Sequence, residues 1–281
     1  MVAIGQRNTL RVVQDTASGL YLDGEELGEI LLPGRYIPKG TVVGNKLDVF
    51  IYRDSEDRLV ATTEVPHVMV GEFAYLRVVS ASPRMGAFLD WGLSKDLLLP
   101  LREQARRVVQ GDWIVAYVFL DPHTGRIVAT TRLNRNLGHT EPTYSEGQSV
   151  KLLIADETSL GYKAIIENAH WGLLYHTNLG ARLQIGQTMN GYVGTIRDGG
   201  KIDLSLDQSG YRRVASLTQQ IMEALKANGG RLEFDDQSTP ESIRETFGTS
   251  KKAFKQALGA LYRDHSIRFE KQGIELVKPL A

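Results

Sequence analysis

The chain contains no cysteine, which excludes disulfides, thiolate catalysis and cysteine-ligated zinc. It also lacks a long apolar run. The longest, Trp113 to Leu120, is eight residues, where a membrane-spanning helix needs roughly twenty, so no segment is expected to cross a bilayer. No basic stretch followed by an apolar one marks the start, so no secretion signal is expected and a cytoplasmic location is. Net charge is missing as well: 33 Lys and Arg balance 33 Asp and Glu, which argues against a surface basic all round. Catalytic signatures are equally scarce. No Walker loop, nucleophile elbow or dinucleotide fingerprint is present, and Gly199-Gly-Lys201 lacks the upstream glycine that a phosphate loop needs. The six histidines, at 67, 123, 139, 170, 176 and 265, show no metal-ligand spacing with a carboxylate. A binding protein without metal or cofactor is expected rather than an enzyme.

What is present is an ordinary globular composition, 42% hydrophobic and 23% charged, with only 9 prolines, which excludes disorder as the main state. At 281 residues the chain is two to three times a common domain size, so several domains are expected.

Internal repeats organise most of it. Gly19-Leu-Tyr-Leu-Asp23 returns as Gly86-Ala-Phe-Leu-Asp90 and Leu31-Leu-Pro33 as Leu98-Leu-Pro100, both displaced by 67, as is Gly44 to Gly111. Leu59-Val-Ala-Thr-Thr63 matches Ile127-Val-Ala-Thr-Thr131 at 68. A third, more diverged copy follows at 75: Leu97-Leu-Leu99 becomes Gly172-Leu-Leu174, Gly111 becomes Gly186, and Arg126-Ile-Val-Ala-Thr130 becomes Lys201-Ile-Asp-Leu-Ser205. Stretches such as Tyr75-Leu-Arg-Val-Val79 and Tyr162-Lys-Ala-Ile-Ile166 are rich in β-branched and aromatic residues, separated by turns at Asp54 to Asp57, Pro122 to Gly125 and Asp198 to Gly200. About 70 residues with five strands suits a small barrel of the oligonucleotide-binding type.

From Gly210 the periodicity turns helical. Val214, Leu217, Ile221 and Leu225 form one apolar stripe that stops at Asn228-Gly-Gly230, and a short strand Arg231-Leu-Glu-Phe234 follows. Thr239 is placed to cap a helix with Pro240 at its first position, and Gly248 to close it. Thr249-Ser250 then starts a helix that buries Phe254, Ala257, Leu258 and Leu261. Ser266 to Val277 alternates about a turn at Gly273. Together these predict a winged helix. The fold class is therefore mainly β: three tandem five-stranded barrels over residues 1–65, 66–140 and 141–208, then an α+β winged helix over 209–281.

The third copy carries a glycine-aromatic strand (Gly161-Tyr-Lys), a Gly-Leu-Leu strand (Gly172 to Leu174), Gly191-Tyr-Val193 and a closing Lys201-Ile-Asp-Leu-Ser205. It resembles an S1 RNA-binding domain. Three such copies followed by Pro240 to Gly248 and Ser250-Lys-Lys-Ala-Phe-Lys255 resemble the conserved virulence factor B family over essentially the whole chain. The resemblance implies RNA binding and post-transcriptional regulation, with no known enzymatic reaction.

Charge alternates along the chain. The four segments carry 7 basic and 10 acidic, 9 and 6, 5 and 8, and 12 and 9 side chains in order, so any nucleic acid is held by local patches. Single-stranded RNA is bound by rings that stack on bases beside basic groups. The S1 positions give Phe88, Trp91, Lys95, Tyr117 and Arg132 in the second copy, and Tyr162, Lys163, Trp171, Tyr175, His176, Tyr192, Arg197 and Lys201 in the third. Alternation along strands turns about half of such rings into the core. Arg102, Arg106 and Arg107, with Arg132 and Arg135 further on, form a dense basic set; the first three share one side if the loop after Pro100 is helical. Lys251, Lys252, Lys255 and Arg263 lie on the solvent side of the second winged-helix helix, where they face phosphate, a neighbouring carboxylate or a protein. The first copy contributes no binding residue, because Asp23, Glu25, Glu26 and Glu29 crowd the turn beside Tyr21. Single-stranded RNA is the expected partner, with ribosomal or RNA-decay proteins as further ones. A protein-binding adaptor and a DNA-binding regulator are the competing readings.

Overall fold

The computed structural model describes residues 1–176, 179, 181–197, 199–206, 211–263, 266–270 and 273–277, with the backbone alone for 211–216 and 263. Its contacts group the chain into two units. One comprises residues 1–142, 152–171 and 181–189, and the other residues 143–151, 172–180 and 190–281.

Three closed five-stranded barrels succeed one another. The first is built from β1 (Arg7–Thr16), β2 (Gly19–Asp23), β3 (Glu29–Pro33), β4 (Lys46–Arg53) and β5 (Leu59–Thr62), in the order β1-β2-β3-β5-β4. The second repeats this order with β6 (Phe73–Ser82), β7 (Gly86–Asp90), β8 (Leu97–Pro100), β9 (Trp113–Leu120) and β10 (Ile127–Thr130). The third repeats it with β11 (Ser149–Glu157), β12 (Gly161–Ile166), β13 (His170–Tyr175), β14 (Thr188–Arg197) and β15 (Lys201–Ser205).

The repeated glycines have one local cause. The long first strand of each barrel breaks register between Val12 and Gln14, Val78 and Ser80, or Ile154 and Asp156. This bulge bends the strand so that one sheet can close on itself. The carbonyl at each bulge accepts a hydrogen bond from Gly44, Gly111 or Gly186 at 2.8, 2.9 and 2.7 Å. All three glycines have φ near +90°, a conformation that costs an L side chain strain. Gly186 has a second constraint: a Cβ there would overlap the Tyr75 ring.

Barrels one and two share a core. Phe50, Tyr52 and Val60 join Leu89, Trp91 and Leu97 in one buried cluster, with Trp91 edge-on to Phe50 at 5.6 Å. Polar contacts seal the rim: Arg126 pairs with Asp57 at 2.6 Å, and Lys95 Nζ donates to the Arg53 carbonyl at 2.7 Å. A second cluster joins Phe73, Val115 and Leu137 to Leu153 and Ile165. There the Phe73 amide donates to Asn168 Oδ1 and the Gly138 amide to the Ala169 carbonyl. Burial stabilises such seams by roughly 25 cal/mol per Å² of apolar surface.

The C-terminal region holds α1 (Tyr211–Ala227), β16 (Arg231–Leu232), α2 (Pro240–Phe247), α3 (Lys251–Arg263), β17 (Ile267–Glu270) and β18 (Gly273–Leu276), with sheet order β16-β18-β17. The capping signals act as read. Thr239 Oγ1 accepts the Ser242 amide, Gly248 sits at φ +61°, and Ser250 Oγ accepts the Ala253 amide. Leu217, Ile221, Leu225, Ile243, Phe254, Ala257, Leu258 and Leu261 form its core with Ile267 and Ile274 from the wing. The strand at Arg231 ends at Leu232, two residues short of its expected end, and Phe234 turns onto Phe247 and Phe254 at 5.2 and 6.1 Å. The Val214 side chain lies outside the described residues.

Candidate nucleic-acid interface

Two of the rings expected at the surface are core. Trp91 and Tyr162 are each 2% exposed and present no face to a base. For Tyr162 the reason is register. Strand pairing sets Phe88 opposite Ser80 and Lys163 opposite Asp156, so Lys163, not Tyr162, takes the outward place of Phe88. A shift of one residue changes the face. Trp91 instead wedges into the first junction, where Phe88 and Lys95 line a small cavity of about 130 Å³ with Tyr52, Arg53 and Arg126. Burial holds the Lys95 ammonium below its ordinary pKa, with the Arg126 charge adding to the effect, and its proton is committed to a carbonyl. Tyr117 packs in the second junction, 4.7 Å from Phe73.

The basic set after Pro100 does not share a helix face. One 3-10 turn, Leu101–Glu103, is followed by irregular chain pinned to the end of β10, the Ala105 amide donating to Thr131 Oγ1 and the Thr131 amide to the Glu103 carbonyl. These bonds satisfy the backbone without a helix. Arg102 therefore meets Asp121 at 2.9 Å, whose carboxyl is held low by the His123 amide and then by the Arg102 charge. Arg107 lines a depression with Leu101, Val108 and Val109. Arg106 points elsewhere, into a groove.

That groove, about 700 Å³, brings together residues of repeats two and three: Tyr75, Arg106, Trp113, Arg132, Asn134, Arg135, Lys163 and Trp171 all line it. Strand pairing puts Tyr75 diagonal to Trp113, and the two rings stack at 5.3 Å and 29°. Trp113 is 53% exposed. Across from it Lys163 Nζ sits 4.2 Å from the Trp171 ring centroid, and the Trp171 indole N–H donates to Asn134 Oδ1 at 3.0 Å. Asn134 lies in a short 3-10 turn, Leu133–Asn136, which also carries Arg135, while Arg132 is anchored by an Nε bond to the Arg102 carbonyl. Of the described charged residues that line it, Arg106, Arg132, Arg135 and Lys163 are cationic and only Asp156 is anionic. An electropositive, aromatic-floored groove of this kind attracts a phosphate backbone with accessible bases.

Other expected residues are not among those that line it. On the outer side of β13 and β15, Tyr175 donates to Asp203 at 3.3 Å, and Arg197 pairs with the same carboxylate at 2.5 Å while lying 5.9 Å from the Tyr175 ring. His176 and Lys201 are exposed, and Tyr192 is half-buried opposite Ser205. In the winged helix, Lys251 donates to the Gln237 carbonyl and Lys255 pairs with Asp236 at 3.5 Å, whereas Lys252 is exposed. The Arg263 side chain and Asp198 lie outside the described residues. Sequence reasoning missed Tyr75 and Trp113. The signal for Trp113 was its place directly after Gly111-Asp112, at the start of a strand whose next three residues are buried.

An S1 domain model matches residues 4–64, and a CvfB-like winged helix domain model matches residues 219–276. The S1 match thus falls on the first barrel, the copy given no binding residue. The chain is similar to "Uncharacterized protein YitL" of Bacillus subtilis (strain 168), 28% identical over 272 residues, covering 94% of this chain and 90% of that one. It is similar to conserved virulence factor B of Staphylococcus aureus (strain USA300), 24% identical over 243 residues, covering 84% and 81%. Among solved structures it is similar to a multidomain protein with nucleic acid binding domains from Streptococcus pneumoniae, 22% identical over 98% of both chains with a TM-score of 0.41. With an S1 domain match on its first barrel, a CvfB-like winged helix match at its C-terminal end and similarity running along nearly its whole length, the chain is similar to the conserved virulence factor B proteins.

Proposed function

We propose that the protein binds single-stranded RNA in the groove beside β9 and β13 and acts as a post-transcriptional regulator. The S1 and winged-helix modules support a nucleic-acid-binding role. The observation that carries the finer reading is one groove holding a half-exposed Trp113 and four cations against a single carboxylate. Arginines and a lysine with no carboxylate partner among the described residues supply counterion release, and an exposed ring supplies stacking, the two sources of single-strand affinity. Bases already paired in a duplex offer no ring face to such a floor.

The test is a titration of the full chain with oligouridylate, single-stranded DNA and duplex DNA across a salt series. Tightest binding to the RNA, weakening as salt rises, is expected. Tighter binding to duplex DNA at the same salt would transfer the function to α3.

A second reading applies to the winged helix. Lys251 and Lys255 are engaged within the module, while Tyr262 and Phe269, 53% and 42% exposed, lie 5.4 Å apart on α3 and the wing. This favours protein contact there, with ribosomal or RNA-decay proteins as the partners, over groove reading by α3.

A further inference from the structure

The two walls of the groove differ in chemistry, and we propose that they divide the work: Trp113 is the platform for an unpaired base, and Lys163, held over Trp171, is a preset phosphate clamp. This rests on the groove being the nucleic-acid site. It assigns Trp113, the first residue of β9, a role that the S1 pattern did not give it.

Trp113 has one face spent and one free. Tyr75 stacks against it, and Tyr75 is itself backed by Gly186, where no Cβ intervenes. The indole is therefore held at a fixed tilt with its remaining surface, about half the residue, in solvent. A base arriving there completes a stack already begun, and little side-chain freedom is lost on binding.

Trp171 is different. Lys163 Nζ covers its ring at 4.2 Å, and its N–H is bound to Asn134. A base stacking on that face must first displace an ammonium. The same contact localises the ammonium, whose flexible stem otherwise lets its three N–H donors sweep a wide volume. Asp156, across the strand pair from Lys163, is the one carboxylate among the described residues that line the groove, and it accepts the Glu157 amide. With Arg132 and Arg135 on the neighbouring turn, this wall reads phosphates and the Trp113 wall reads rings. The ligand class follows: a single strand with at least one base out of its stack, whatever the base.

The experiment compares oligouridylate with an abasic strand of equal length on the full chain. Trp113→Ala is expected to weaken oligouridylate about ten- to a hundredfold, the loss of one stack, and to leave abasic binding and both salt slopes unchanged. Trp113→Phe should retain most of the affinity, which separates stacking from a folding defect. Lys163→Gln should weaken both strands alike and make the slope of log K against log salt shallower by about 0.7, one phosphate. Equal loss of both strands on Trp113→Ala, or an unchanged slope on Lys163→Gln, overturns the division of labour while RNA binding itself stands. If the unaltered chain binds oligouridylate no better than a neutral polymer, the groove as nucleic-acid site falls too.

Discussion

Trp91→Ala is expected to destabilise the protein by about 3–5 kcal/mol while changing the RNA affinity of the folded chain less than twofold. Trp91 is 2% exposed, edge-on to Phe50, and its indole N–H donates to the Lys95 carbonyl, which positions the chain ahead of the Lys95 bond to Arg53. Removing the ring leaves a void shared by two barrels, and the strands around it are closed sheets that cannot collapse far to fill it. Because the cluster spans Phe50 and Tyr52 as well as Leu89 and Leu97, both barrels should lose stability together. Urea unfolding followed by circular dichroism reads the loss, and titration well below the transition reads the affinity. A variant of unaltered stability that no longer binds RNA would return Trp91 to the binding surface.

The second large effect is electrostatic. Replacing Arg132, Arg135 and Lys163 together by Gln should lower single-strand affinity about a hundredfold at 0.1 M salt and make the salt slope shallower by about 2. Each phosphate neutralised on a single strand contributes about 0.7 to the slope, and the affinity loss is that slope carried over one decade of salt. None of the three is buried, so stability should change by about 0.5 kcal/mol at most. By contrast, Arg102, Arg126 and Arg197 are each within 3 Å of a carboxylate, so their replacement should leave the slope nearly unchanged. An unchanged slope in the triple variant, measured by fluorescence anisotropy over a salt series, would place the phosphates elsewhere.

What was legible in the sequence was local. The displacement of Gly44 onto Gly111 and Gly186 marks a positive-φ residue bonded to a strand bulge, and that motif needs no tertiary information. The winged helix was readable for the same reason, since Thr239, Pro240, Gly248 and Ser250 act on their own helix ends. The site was less so. Alternation does say that one of two neighbouring residues faces out. Choosing between Tyr162 and Lys163, however, required counting from the paired strand: Gly86 precedes Phe88 by two, whereas Gly161 precedes Tyr162 by one. Trp113 opens the longest apolar run, where hydrophobicity masks a residue that ends up outside. Arg106 and Arg132 come near Trp171 only because Leu153 and Ile165 pack on Phe73 and Val115, a seam set by side-chain fit between repeats rather than by any one segment. The acidic turn of the first copy, Asp23 to Glu29, argued against phosphate there, and the S1 match on residues 4–64 speaks to its fold rather than to its ligand.

The central claim, that a single RNA strand lies in the groove, is tested most directly by ultraviolet cross-linking of the full chain to oligouridylate, with the attached peptides mapped by mass spectrometry. Attachment is expected at Trp113 or Tyr75 and in the peptide containing Trp171, reduced by excess unlabelled strand and by raised salt. Attachment confined to β7, to the Tyr175 and Arg197 side of the third barrel, or to residues 211–277 would contradict it.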